Sequence, residues 1–330
     1  MAEKDPALCR ARARTVVLTE RHDDGHRPLS DRCQDAFADS AAIRSIAHFG
    51  NGIIDFAVRP ENARPLPNTT LVTEDPLESE GAMGRQLIRS FQDLDAELNR
   101  FQTGDLMRMV VQTRSCGLYC GRVRARQHLV GVTLDSDVPA LDEAMNRLVT
   151  RLRTEVYNLP DENPGGAEGA SRAELDTVQK LTFEGGLRHD PARVGQLRGI
   201  WHRFVNPTDL QYASYFQHWT LTCAGDAFED PGLSPRFLDM TASARRALYR
   251  DLAGRLRGTV ARLQDVLRPI TRDPIDRLVL DVQEGAVYLH RLPTGLDDLV
   301  IGVTMDQFLV GRAEQRLREL VSEIPAPPRP

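Results

Sequence analysis

Apolar residues in this chain recur at two spacings, and these divide it into helices and strands. From Gly84 onward they fall at Leu87, Phe91, Leu94, Leu98 and Phe101, which is one face of a helix. Leu141, Met145, Leu148, Leu152 and Val156 mark a second helix, introduced by Asp137 as N-cap and Pro139 in the first turn. Between the two, three strands are predicted near 106–114, 117–125 and 128–134. Upstream, 29–45 reads as a helix, and 46–58 as strand around the turn signal Gly50-Asn-Gly52. Residues 59–80 are rich in Pro, Asn, Glu and Asp and read as a loop.

The same order returns further along. A helix is predicted over 191–205, strands over Tyr212 to Cys223, and a Pro/Gly loop over 229–236. A long helix from Ala242 carries Leu248, Leu252, Leu256, Val260, Leu263 and Leu267. Strands follow near 276–283, 286–292 and 298–305, then a helix with Ala313, Leu317, Leu320 and Ile324 facing inward. The residues themselves repeat. Arg108, Val110, Tyr119 and Arg122 coincide with Arg277, Val279, Tyr288 and Arg291 at a shift of 169. His128-Leu-Val-Gly-Val-Thr-Leu134 meets Leu299-Val-Ile-Gly-Val-Thr-Met305 at a shift of 171, and Phe49 meets Phe216 at 167. A period this long means tandem domains, not a solenoid of short repeats.

The block of apolar strand, small-residue turn, Tyr-bearing strand, Gly-Val-Thr strand and amphipathic helix resembles the roadblock/dynein light chain family. The resemblance rests on 106–156 and 276–324, and beyond these on element order over 43–104 and 210–270. It implies an α+β fold of two tandem roadblock/profilin-like domains, each a mostly antiparallel five-stranded sheet flanked by helices. The expected division is a flexible segment 1–28, domain 1 at 29–157, a linker at 158–190, domain 2 at 191–324 and a disordered Pro-rich tail at 325–330. In this family the first strand of the three-strand block lies at the sheet edge and pairs with its twin. The resemblance therefore implies an intramolecular pseudo-dimer in which Met107, Met109 and Val111 meet Leu278, Leu280 and Val282. It further implies a non-enzymatic interaction protein, a signalling adaptor whose partner is a small Ras-like GTPase, with homo-oligomers optional.

Composition narrows the function little. The 330 residues carry 27% charged and 41% hydrophobic side chains, ordinary for a globular protein. A net charge of −5 gives no general pull toward nucleic acid or an anionic membrane. No apolar run approaches a membrane span, and the first residues lack the apolar core of a signal peptide. Five scattered cysteines read as cytoplasmic thiols, not a disulfide framework. Only Lys4 and Lys180 are lysines among 42 basic residues, which suggests a GC-rich genome such as that of an actinobacterium.

Candidate chemistry is sparse. No phosphate loop, nucleophile elbow or complete metal-ligand set is visible, so neither catalysis, a cofactor nor a metal is expected. His22-Asp-Asp-Gly-His26 reads as a solvated tail for want of further ligands. Cys116 and Cys120 read as structural, since Gly285 and Leu289 replace them in the second copy. The arginines of 245–257 read as the solvated face of a helix. The aromatic stretch 201–219 supports a second reading, a ligand-binding sensor with Trp201, His202, Tyr215 and Trp219 lining a pocket.

Overall fold

A computed structural model describes residues 14–19, 24–61, 66–67, 76–134, 136–166, 179–293 and 297–325. These residues form an α+β fold with twelve strands, and every pairing given below is antiparallel. The chain divides by compactness into two units. Unit 1 takes residues 1–89, 115–161 and 266–272; unit 2 takes 90–114, 162–265 and 273–330.

In unit 1 the strands are β1 (Arg14–Leu18), β2 (Ser45–Gly50), β3 (Ile53–Pro60), β5 (Gly117–Arg124) and β6 (Gln127–Thr133), in the order β1-β3-β2-β6-β5. Helices α1 (Arg27–Asp39) and α3 (Val138–Arg151) cover one face. Asp137 caps α3 by accepting from the Ala140 amide at 3.2 Å. Gly131 lets Met145 of α3 close on the sheet: a Cβ at 131 would lie 2.9 Å from the Met145 Cγ. Phe49 is three residues beyond Ile46, the partner of Gly131, and so faces the other side. There it packs on Gly84 of helix α2 (Pro76–Leu98), where even a Cβ would strike the ring.

In unit 2 the order is β4-β10-β11-β12-β8-β9-β7. The strands are β4 (Leu106–Thr113), β7 (Lys180–Phe183), β8 (Tyr212–Gln217), β9 (Thr220–Asp226), β10 (Ile275–Val282), β11 (Gly285–Arg291) and β12 (Leu299–Thr304). Helices α4 (Pro191–Phe204) and α6 (Val310–Glu323) pack together on one face. There Trp201 donates to the Ala213 carbonyl at 2.9 Å and fills the space above Gly225. Helix α5 (Ala242–Leu267) lies on the other face, with Tyr249 against Tyr212, Phe228 and Phe101.

The two halves of the sequence repeat in detail. The order β1-β3-β2-β6-β5 is matched by β7-β9-β8-β12-β11. Even irregularities recur, since a register shift falls at His48/Phe49 and another at Tyr215/Phe216, 167 residues on. Both following hairpins turn through two residues of positive φ, Asn51-Gly52 and His218-Trp219. That is the two-residue turn whose twist suits a β-hairpin.

Several expectations need correction. Each half carries a sixth strand ahead of its first helix. β1 lies in the supposed flexible segment and β7 in the supposed linker. The linker is anchored as well, because the Gly165 amide donates to Asp281 Oδ2 at 2.7 Å and Gln307 Nε2 to the Asn163 carbonyl at 2.9 Å. Helix α2 begins at Pro76, inside the predicted loop. The tail 326–330, His22 and Cys9 lie outside the described residues.

Candidate interaction and ligand sites

Strands β4 and β10 pair antiparallel, with Val110 opposite Val279. Those two valines are 169 residues apart, the shift that relates the two copies. Equivalent residues therefore face each other, and pairs repeat around them: Arg108 faces Asp281, and Arg277 faces Gln112. This is the register of a two-fold, isologous contact, in which residue i meets j and j meets i. Val111 sits opposite Leu278 and Met109 opposite Leu280, forming the apolar face of the pair. Met107 and Val282 fall at a bulge, and all six residues are buried.

The other face of the same pair holds buried charge. Arg108 Nε lies 3.2 Å from Asp281 Oδ2, the carboxylate that also accepts from the Gly165 amide. Arg277 donates to Gln112 Oε1 at 3.1 Å and makes a two-pronged contact with Glu314 of α6. Burial alone would raise the Glu314 carboxyl, but Arg277, and after it His290, hold it well below the usual carboxylate range. Burial also lowers His290 and pushes the Tyr288 phenol well up. A carboxylate in the middle of Val279-Leu280-Asp281-Val282 was the available sequence signal for this network, and the sequence reading missed it.

The four aromatic-region residues are not gathered around one cavity. Trp201 and Tyr215 are buried on the α4 face, where burial, and after it Asp298, raises the Tyr215 phenol to about 12. His202 is exposed at the end of α4. Trp219 instead lines an open groove of about 510 Å³ with Phe216 and Leu221, against Arg250, Ala253 and Gly254 of α5. The arginines of 245–257 form a solvated face only in part: Arg250, Arg255 and Arg257 are exposed, whereas Arg245 and Arg246 are not. Arg245 is buried and reaches the Phe101 carbonyl, and Arg246 grips Asp226 through two bonds of 2.7 Å. Arg250 pairs with Glu184, and Arg255 with Glu97.

His26 has partners that its local sequence does not reveal. At the N-cap of α1 it meets His48 of β2 and Asp55 of β3, one ligand atom from each lying within 4.8 Å of the others. His48 Nδ1 is 3.0 Å and His26 Nε2 3.8 Å from the same Asp55 oxygen. The signal was present as single polar residues inside apolar strands, Ala47-His48-Phe49 and Ile54-Asp55-Phe56. Cys33, Cys116, Cys120 and Cys223 are buried, and burial raises the Cys223 thiol to about 12 and those of Cys33 and Cys120 further. Such thiols are poor nucleophiles.

No protein-family model matches the chain, and no curated protein sequence matches it significantly. No helix among the described residues is long and apolar enough to cross a membrane.

Proposed function

We propose that this chain is a non-catalytic interaction and regulatory protein built from two tandem roadblock-like domains. In this reading the domains meet through β4 and β10 as an intramolecular pseudo-dimer, and the paired unit binds a small Ras-like GTPase in the cytoplasm. The observation that carries the reading is the β4–β10 register, centred on the equivalent residues Val110 and Val279. Two identical subunits pairing edge to edge would adopt that same register. The strand pairing also covers an edge that would otherwise invite aggregation. Buried thiols suit a reducing compartment.

The test is affinity capture with the full chain from extracts of its native host. The extracts are supplemented either with GDP or with a non-hydrolysable GTP analogue. The proposal expects a small GTPase enriched in one nucleotide state. Capture of the same proteins in both states, with no GTPase among them, would overturn it.

A further inference from the structure

We propose that His26, His48 and Asp55 form a binding site for a divalent cation of the zinc class. Imidazole nitrogen and carboxylate oxygen are both ordinary ligands of that ion. Asp55 and His48 are almost wholly buried, while His26 keeps 20% of its side chain exposed and gives the cluster a route to solvent. A buried carboxylate is costly without a positive partner. A bound cation would supply that charge.

The distances favour shared ligation over a simple hydrogen bond. The 3.0 Å contact of His48 with Asp55 would suit either, but the 3.8 Å separation of His26 Nε2 from the same oxygen is too long for a hydrogen bond. Two ligands on one tetrahedral zinc, each about 2.0–2.2 Å from the metal, stand about 3.3 Å apart, between the two values. The surroundings are shaped for the cluster. Gly50 leaves room for the carboxylate, since a Cβ there would lie 2.7 Å from Asp55 Oδ2. The His48 ring is stacked on Phe56 at 5.3 Å, and its other nitrogen, Nε2, is buried with no hydrogen-bond partner among the described residues. Among the described residues, the contact with Asp55 is the one hydrogen bond of the His48 ring.

The fold does not require this cluster. At the repeat shift of 167, His48 and Asp55 correspond to Tyr215 and Thr222, and the second copy forms the same hairpin without ligands. The three ligands leave a fourth position for water, and the ion would tie the start of α1 to β2 and β3.

The test uses the untagged full chain, stripped with a chelator that is then removed, and titrated with Co²⁺. The expected result is visible d–d absorption that saturates at one ion per chain, lacks a near-ultraviolet thiolate-to-cobalt band, and is displaced by Zn²⁺. Zinc should also raise the Tm of the wild-type chain. His26→Gln and His26→Ala alter only the partly exposed ligand. Both should keep the metal-free Tm and lose the absorption and the zinc-induced shift. Absence of stoichiometric binding by the wild type, a thiolate band, or equal binding by the His26 variants would overturn the proposal.

Discussion

His128 lies on β6 with its ring buried, and burial, ahead of the charges of Arg122 and His48, lowers its pKa to about 4. An unfolded histidine titrates near 6.5. Between those values the unfolded chain binds a proton that the folded chain refuses. The contribution to stability is therefore complete above pH 6.5 and is lost as the pH falls toward 4. At pH 5 the loss is on the order of 2 kcal/mol. Urea unfolding at pH 7 and pH 5 should show it, and His128→Gln should flatten the difference. His290, also lowered, leaves a residue of the same sign. Glu314 obeys a second rule. Its alanine variant would strand the buried Arg277 guanidinium and should cost about 3–5 kcal/mol in urea unfolding. Replacing both members of the pair, Arg277→Met with Glu314→Leu, should cost less than Glu314→Ala alone. Equal or greater loss in the double variant would show that the ion pair itself is strongly stabilising.

Helices and strands with a full apolar face were legible in the sequence, and those without one were not. The periodic residues of α3, Leu141, Met145 and Leu148, are all buried, and so are Leu317 and Leu320 of α6. Strand β7 was missed because it is four residues long and at most half-buried, so it carries little of the alternation that marks a strand. The start of α2 was missed because Pro76 and the acidic residues after it resemble loop composition, although Pro suits a first helical turn. The Gly-Val-Thr motif now has a physical reason. Gly302 of β12 lies beneath Leu317 of α6, and a Cβ there would come within 2.7 Å of a Leu317 methyl. Gly302→Val should overpack that contact and cost about 1–3 kcal/mol by chemical denaturation. A neutral result would mean that α6 can shift to make room. Leu280→Pro removes an amide from the middle of β10 and should cost on the order of 3 kcal/mol.

For the whole chain, the repeat was more legible in the sequence than the candidate sites were. The repeat is carried by hydrophobic pattern, which local periodicity records. The sites join residues far apart in sequence, such as Arg108 with Asp281 or His26 with Asp55, and periodicity has no term for that. Compactness does not follow the sequence repeat either, because β4 is grouped in unit 2 with β10, whereas β5 and β6 of its own copy are grouped in unit 1. The account depends on that β4–β10 ladder. Hydrogen exchange followed by mass spectrometry, with peptides covering 106–113 and 275–282, tests it most directly. The account predicts that both strands are strongly protected and that Leu280→Pro releases both together. Rapid exchange of 106–113 beside a protected 275–282 in the wild-type chain would contradict it.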